Sequence, residues 1–142
     1  MQLHIPGPPI WPNRWHVYVA SKFENKAEVR ECQTLLRQHG HLITHDWTFE
    51  EEAERTGEEL ETYLQKCAAD DFNGSMNAEA FILIMYPGLS GALVKLGIAM
   101  ASNARIMLVQ PDGRTGPSPI FFHMREVERY KTIQEAVEAL DA

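Results

Sequence analysis

The 142-residue chain is poor in cysteine, with only Cys32 and Cys67 and no Cys-x-x-Cys pair. Zinc sites of the common spacings and a thioredoxin-like redox centre are therefore excluded, and two buried free thiols are expected. The six histidines contain no His-Glu-x-x-His run, so neither a metal nor another cofactor is expected. Basic charge is scarce: 13 Lys and Arg face 20 Asp and Glu, a net charge of −7 that argues against general binding to nucleic acid polymers. Apolar runs fall far short of the roughly 20 residues a membrane span needs. No basic, apolar leader opens the chain, and a cytoplasmic location is the expectation. Walker, Gly-x-Gly-x-x-Gly and Gly-x-Ser-x-Gly motifs are all missing, which lowers the case for those nucleotide-binding and serine-hydrolase chemistries.

What is present is one domain's worth of ordinary globular composition, 44% hydrophobic and 23% charged. Area scaling buries roughly two thirds of such a chain's surface, enough for a core without staples. Residues 1–14 carry four of the eight prolines and read as an extended arm, with Ile10 and Trp11 able to pack on a body or partner. A single domain is expected over 15–142. Residues 49–62 hold seven Glu and one Arg, nearly all of the net charge; such runs are usually solvated faces.

Hydrophobic patterning predicts strands at 15–20, 41–47, 80–86 and 104–111, and short extended segments at 120–123 and 126–130. Helices are predicted at 24–39, from Thr48 or Thr56 through Cys67, at 92–102, and at the C-terminus behind a Thr132/Glu135 capping box. This alternation predicts a three-layer α/β sandwich with a mostly parallel central sheet of flavodoxin or Rossmann-like topology. Right-handed crossovers then gather the loops after the strands on one edge, where ligands bind.

Candidate chemistry lies in those loops. Gly88, Ser90 and Gly91 fall between a strand and a helix, whose free N–H groups form a ready anion or hydroxyl site. Lys95 is the only charged residue between Pro87 and Arg105, and among apolar neighbours it must reach water, an acid or a ligand. The stripe Leu60, Tyr63, Leu64, Cys67 continues to Asp71, turning an acid inward from an apolar face. Ser21 follows strand one; His45 and Asp46 end strand two and lie in the expected crevice, where packing is the simpler role for His45.

Taken together, Tyr18 in VYVAS, the DDFNG segment at 70–74 and SGALVKLGIAMA at 90–101 resemble the nucleoside 2-deoxyribosyltransferase family and its relatives that hydrolyse nucleotide N-glycosidic bonds. The resemblance spans about residues 15–140 and implies a nucleoside or nucleotide ligand, Tyr18 near the sugar, Asp71 contacting or protonating the base, and a homodimer or larger assembly. The family's nucleophilic glutamate corresponds to Lys95, so its double displacement does not transfer to this chain. A lysine opposes the cation that develops at C1′, where a carboxylate would trap it.

Three functions follow. The first is a nucleoside- or nucleotide-binding protein that has lost transfer, with Lys95 holding a phosphate. The second is an active N-glycosidase or transferase with Asp71 as acid and Asp46 or Glu79 activating water. The third is an interaction module using the acidic run or the arm.

Overall fold

The computed structural model describes residues 14–50 and 55–142. The arm, with Ile10 and Trp11, lies outside the described residues except for Arg14, as do Glu51, Glu52 and Glu54 of the acidic run.

Three runs apolar on both faces, β1 (His16–Ala20), β3 (Ala80–Ile84) and β4 (Arg105–Val109), form the centre of the sheet. A strand covered on two sides has no solvent face for polar side chains, which is why these segments do not alternate. With β2 (Leu42–Ile43) and β5 (Glu128–Tyr130) at the edges, the order is β2-β1-β3-β4-β5 and every pairing is parallel. Helix α1 (Lys26–Gln38) packs with α4 (Ile133–Asp141) on one face, and α2 (Gly57–Met76) with α3 (Gly91–Ala101) on the other. The expected α/β sandwich is thus present, with a sheet that is wholly parallel. No helix among the described residues is long and apolar enough to cross a membrane.

Several local expectations change. The second strand pairs only through His16–Leu42 and Val17–Ile43, because the Thr44 hydroxyl then donates to the Gly74 carbonyl at 2.8 Å and the chain turns away. Trp47–Phe49 is a 3-10 turn whose Thr48 N–H is capped by the Asp46 side chain. Residues Ile120–His123 also form a 3-10 turn instead of an extended segment: Pro119 supplies φ −64°, and the Phe122 N–H closes on the Pro119 carbonyl at 2.9 Å. Thr132 caps α4 through the Glu135 N–H at 3.0 Å, whereas Thr56 makes no such side-chain bond at the start of α2. Cys32 is buried, and burial pushes its thiol up; Cys67 is only half-buried. Trp15 is half-buried, its indole N–H donating to the Leu140 carbonyl at 3.0 Å.

Helix α2 continues past the acids to Met76, so Asp71 sits within the helix and not at its C-terminal end. Gly74, three residues on, sets the approach. A Cβ there would stand 2.7 Å from the His45 Cβ and 3.1 Å from the Tyr18 ring, so only a bare backbone brings α2 this close to β1.

Candidate functional site

At the carboxyl edge of the sheet, where doubly wound folds bind ligands, a cleft of about 260 Å³ opens between the end of β1, the Trp47–Phe49 turn, α2 and the start of α3. Its lining includes Lys22, Trp47, Glu50, Asp71, Ser90 and Lys95.

Asp71 is the centre of the constellation. The Tyr18 hydroxyl donates to its Oδ1 at 3.2 Å, Lys95 Nζ lies 3.4 Å from Oδ2, and His45 Nε2 is 3.5 Å from Oδ1. Tyr18 is fully buried in the sheet and stacks on Phe81 with ring centroids 5.6 Å apart, so its hydroxyl has one direction to point. Burial first, and the Asp71 carboxylate second, push that hydroxyl far above its usual range, keeping it a donor at any ordinary pH. Lys95 does not snorkel to open water. Only 17% of its side chain is exposed, and its ammonium sits 5.4 Å from the Tyr18 ring and 5.1 Å from that of Trp47.

Glu50 completes the group from the end of the 3-10 turn. His45 Nε2 lies 2.8 Å from Glu50 Oε1, so one imidazole nitrogen stands between two carboxylates. Burial, then the negative charge of Asp71, raise Glu50 above the ordinary glutamate range, with His45 acting against them. The oxygen and nitrogen atoms of His45, Glu50 and Asp71 lie within 4.8 Å of one another, a spacing a metal could use. The Lys95 ammonium on the same Asp71 opposes a second cation there.

The turn that carries Glu50 is firmly seated. The Trp47 indole donates to the Val19 carbonyl at 2.8 Å, and Arg30 donates to the Thr48 carbonyl at 2.9 Å.

The α3 end of the cleft brings a lysine close to a glycine turn. Gly88 adopts φ +78°, and Lys22 Nζ lies where a side chain there would be, 2.7 Å from the position of an added Cβ. Among the described residues, no carboxylate pairs with Lys22. Ser90 precedes α3 without capping it, and a Cβ on Gly91 would meet only open space. The start of α3 and the Lys22 ammonium thus line one cleft.

Of the expected site residues, Tyr18, Ser21, Asp71, Gly88, Ser90, Gly91 and Lys95 gather at this edge. Ser21 lines the cleft but is buried, its hydroxyl donating to the Ile84 carbonyl at 2.8 Å and accepting from Asn25, so it also ties β1 to β3. Asp46 does not line the cleft. Its carboxylate accepts from the Thr48 N–H and hydroxyl at 3.0 and 2.6 Å and from Gln33 at 3.2 Å. Burial pulls Asp46 upward, yet those donors hold it below the usual range, as a capping group should be. Glu79 lies at the opposite edge of the sheet, where it accepts from the His16 N–H at 2.9 Å. Neither acid is placed to activate water at Asp71.

Sequence reasoning passed over Lys22, Trp47 and Glu50. Lys22 had a positional signal, following a strand into a crevice loop. Glu50 had none, because it opens an acidic run that resembles solvated surface.

Larger hollows lie elsewhere. One of about 620 Å³ contains Glu79 and Arg105, but these are already paired with His16 and Glu128. Another of about 520 Å³, between α3 and the Phe121 turn, has no titratable group in its lining.

No protein-family model matches the chain, and no curated protein matches it in sequence. Its structure is similar to that of the CMP N-glycosidase BcmB of Clostridium botulinum, with 16% identity and a TM-score of 0.60 over 89% of this chain and 99% of that one. It is also similar to the solution structure of BlsM, with 19% identity and a TM-score of 0.59 over 94% of this chain and 90% of the other. At these identities the likeness establishes a shared fold.

Proposed function

We propose that the cleft binds a nucleoside 5′-monophosphate and hydrolyses its N-glycosidic bond without a covalent sugar intermediate. The observation that carries this reading is the pairing of Asp71 with Lys95 at 3.4 Å in a cleft whose other end is the start of α3. One end offers carboxylates for a sugar-linked base. The other offers Lys22 and free helix N–H groups for a phosphate. The span suits a small nucleotide and is too small for a polymer.

With Lys95 paired to Asp71, the cleft holds an ammonium where the resemblance to nucleoside 2-deoxyribosyltransferases would put a nucleophilic carboxylate. Glycosyl transfer through a stored intermediate has no nucleophile of the required kind. Direct attack by water needs none, only a proton for the departing base and an acceptor for the proton of water. Asp71 and Glu50 offer these two functions. The fold shared with a CMP N-glycosidase supports the choice of bond.

Lys95 also favours a second reading, binding without turnover, since a nearby ammonium disfavours a developing sugar cation. A second copy of the chain would cover the exposed row Leu64, Phe72 and Met76 on α2, with Val94 on α3, and a homodimer is part of the proposal.

Incubation with ribo- and deoxyribonucleoside 5′-monophosphates, with free base measured by chromatography, tests the reading. Base release is expected, together with ligand-dependent thermal stabilisation. Stabilisation without release selects the binding reading, and neither effect overturns both.

A further inference from the structure

Resting on that hydrolytic reading, a further assignment concerns which carboxyl group gives its proton to the base. The two acids in the cleft share His45 but differ in their other neighbours. Asp71 faces the Tyr18 hydroxyl at 3.2 Å from β1, the Lys95 ammonium at 3.4 Å from α3 and His45 at 3.5 Å. Each of these can present a hydrogen-bond donor or a cation to the Asp71 oxygens. Glu50 faces His45 at 2.8 Å and, across it, the negative charge of Asp71. Lys22 lines the same cleft, and Lys66 of α2 is bound to Asp70 at 2.5 Å in open solvent.

We propose that Glu50, not Asp71, is the general acid that protonates the leaving base, while Asp71 receives the proton of the attacking water. In this step the water oxygen bonds to C1′ as the C1′–N bond breaks. The bond's electron pair leaves with the base, and the Glu50 carboxyl proton moves to that base. Asp71 takes one proton from the water, leaving a hydroxyl on C1′. The products are free base and sugar phosphate, and one proton has moved in effect from Glu50 to Asp71. His45 Nε2, between the two acids, is the relay that returns it. Burial and the charge of Asp71 raise Glu50, in keeping with a group that holds a proton to give.

Leaving-group dependence tests the assignment. Glu50→Gln and Asp71→Asn are compared with the wild type on the nucleotide it cleaves, and on an analogue whose base departs without protonation. That analogue is an N7-methylated purine nucleotide or a 5-nitropyrimidine nucleotide, matched to the base class. Glu50→Gln is expected to lose roughly 100-fold or more in kcat on the ordinary nucleotide and less than about 10-fold on the activated one. It also loses the alkaline fall of the kcat profile. Asp71→Asn is expected to be impaired on both. If Glu50→Gln retains the wild-type rate and profile, or if Asp71→Asn is the variant rescued by the activated base, the assignment is overturned while hydrolysis stands. If the wild type releases no base, the hydrolytic reading and this assignment fail together. A thermal melt of each variant separates lost chemistry from lost folding.

Discussion

Lys95 Nζ and Asp71 Oδ2 stand 3.4 Å apart, each with less than a fifth of its side chain exposed. They arrive from different helices, α3 and α2, over the aromatic rings of Tyr18 and Trp47. The pair converts what would be an isolated ammonium on an apolar helix into the polar wall of a cleft.

Replacing the ammonium tests how far the site stands from glycosyl transfer. Lys95→Glu supplies the carboxylate that could trap C1′, and the expected outcome is exchange of the sugar onto an added free base. Chromatography of a nucleotide incubated with a second base reads this directly. If no exchanged product forms, positions other than Lys95 also separate this site from a transferase.

Gly91 separates ligand binding from folding. Because a Cβ there meets only open space, Gly91→Ala is expected to change stability by no more than about 0.5 kcal/mol. The same methyl enters the cleft at the start of α3 and crowds a bound phosphate. Thermal stabilisation by nucleotide is expected to fall sharply while the unliganded Tm holds. An unchanged ligand shift would move the anion site away from α3.

Gly74→Ala has the reverse character. The added Cβ would stand 2.7 Å from the His45 Cβ and 3.1 Å from the Tyr18 ring, and neither neighbour is the free end of a flexible chain. Overpacking of this kind costs about 1–3 kcal/mol, measurable by urea unfolding. Since Gly74 lies one turn after Asp71, base release is expected to drop as well.

Stability should carry the mark of Glu50. Burial first, and Asp71 second, raise its carboxyl above the ordinary glutamate range. A carboxyl raised in the native state favours folding below its unfolded value of about 4.3, and that advantage is lost as pH rises through the native value. Glu50→Gln removes the titration. Its Tm relative to wild type is therefore expected to rise between pH 4 and pH 7. A constant difference across that range would mean that Glu50 is not raised.

Much of this architecture is legible in the residues. The unbroken apolar runs at Phe81–Ile84 and Ile106–Val109 require cover on both faces, and that condition leads to a parallel sheet with helices above and below. The helical period also carries Asp71 inward. Edges were harder to read, because β2 is cut short where Thr44 bonds to the remote Gly74 carbonyl, and the segment after Pro119 closes into a 3-10 turn on the Pro119 carbonyl.

The amino-acid order alone thus settled the layers, their sequence and which loops share a rim, since periodicity and burial are properties of neighbouring residues. Only the folded chain decided which acids meet. Asp46 and Glu50 are four residues apart, yet one caps a 3-10 turn while the other faces Asp71 beneath Lys95. Charge and proton affinity depend on distances between residues remote in sequence, and packing creates those distances.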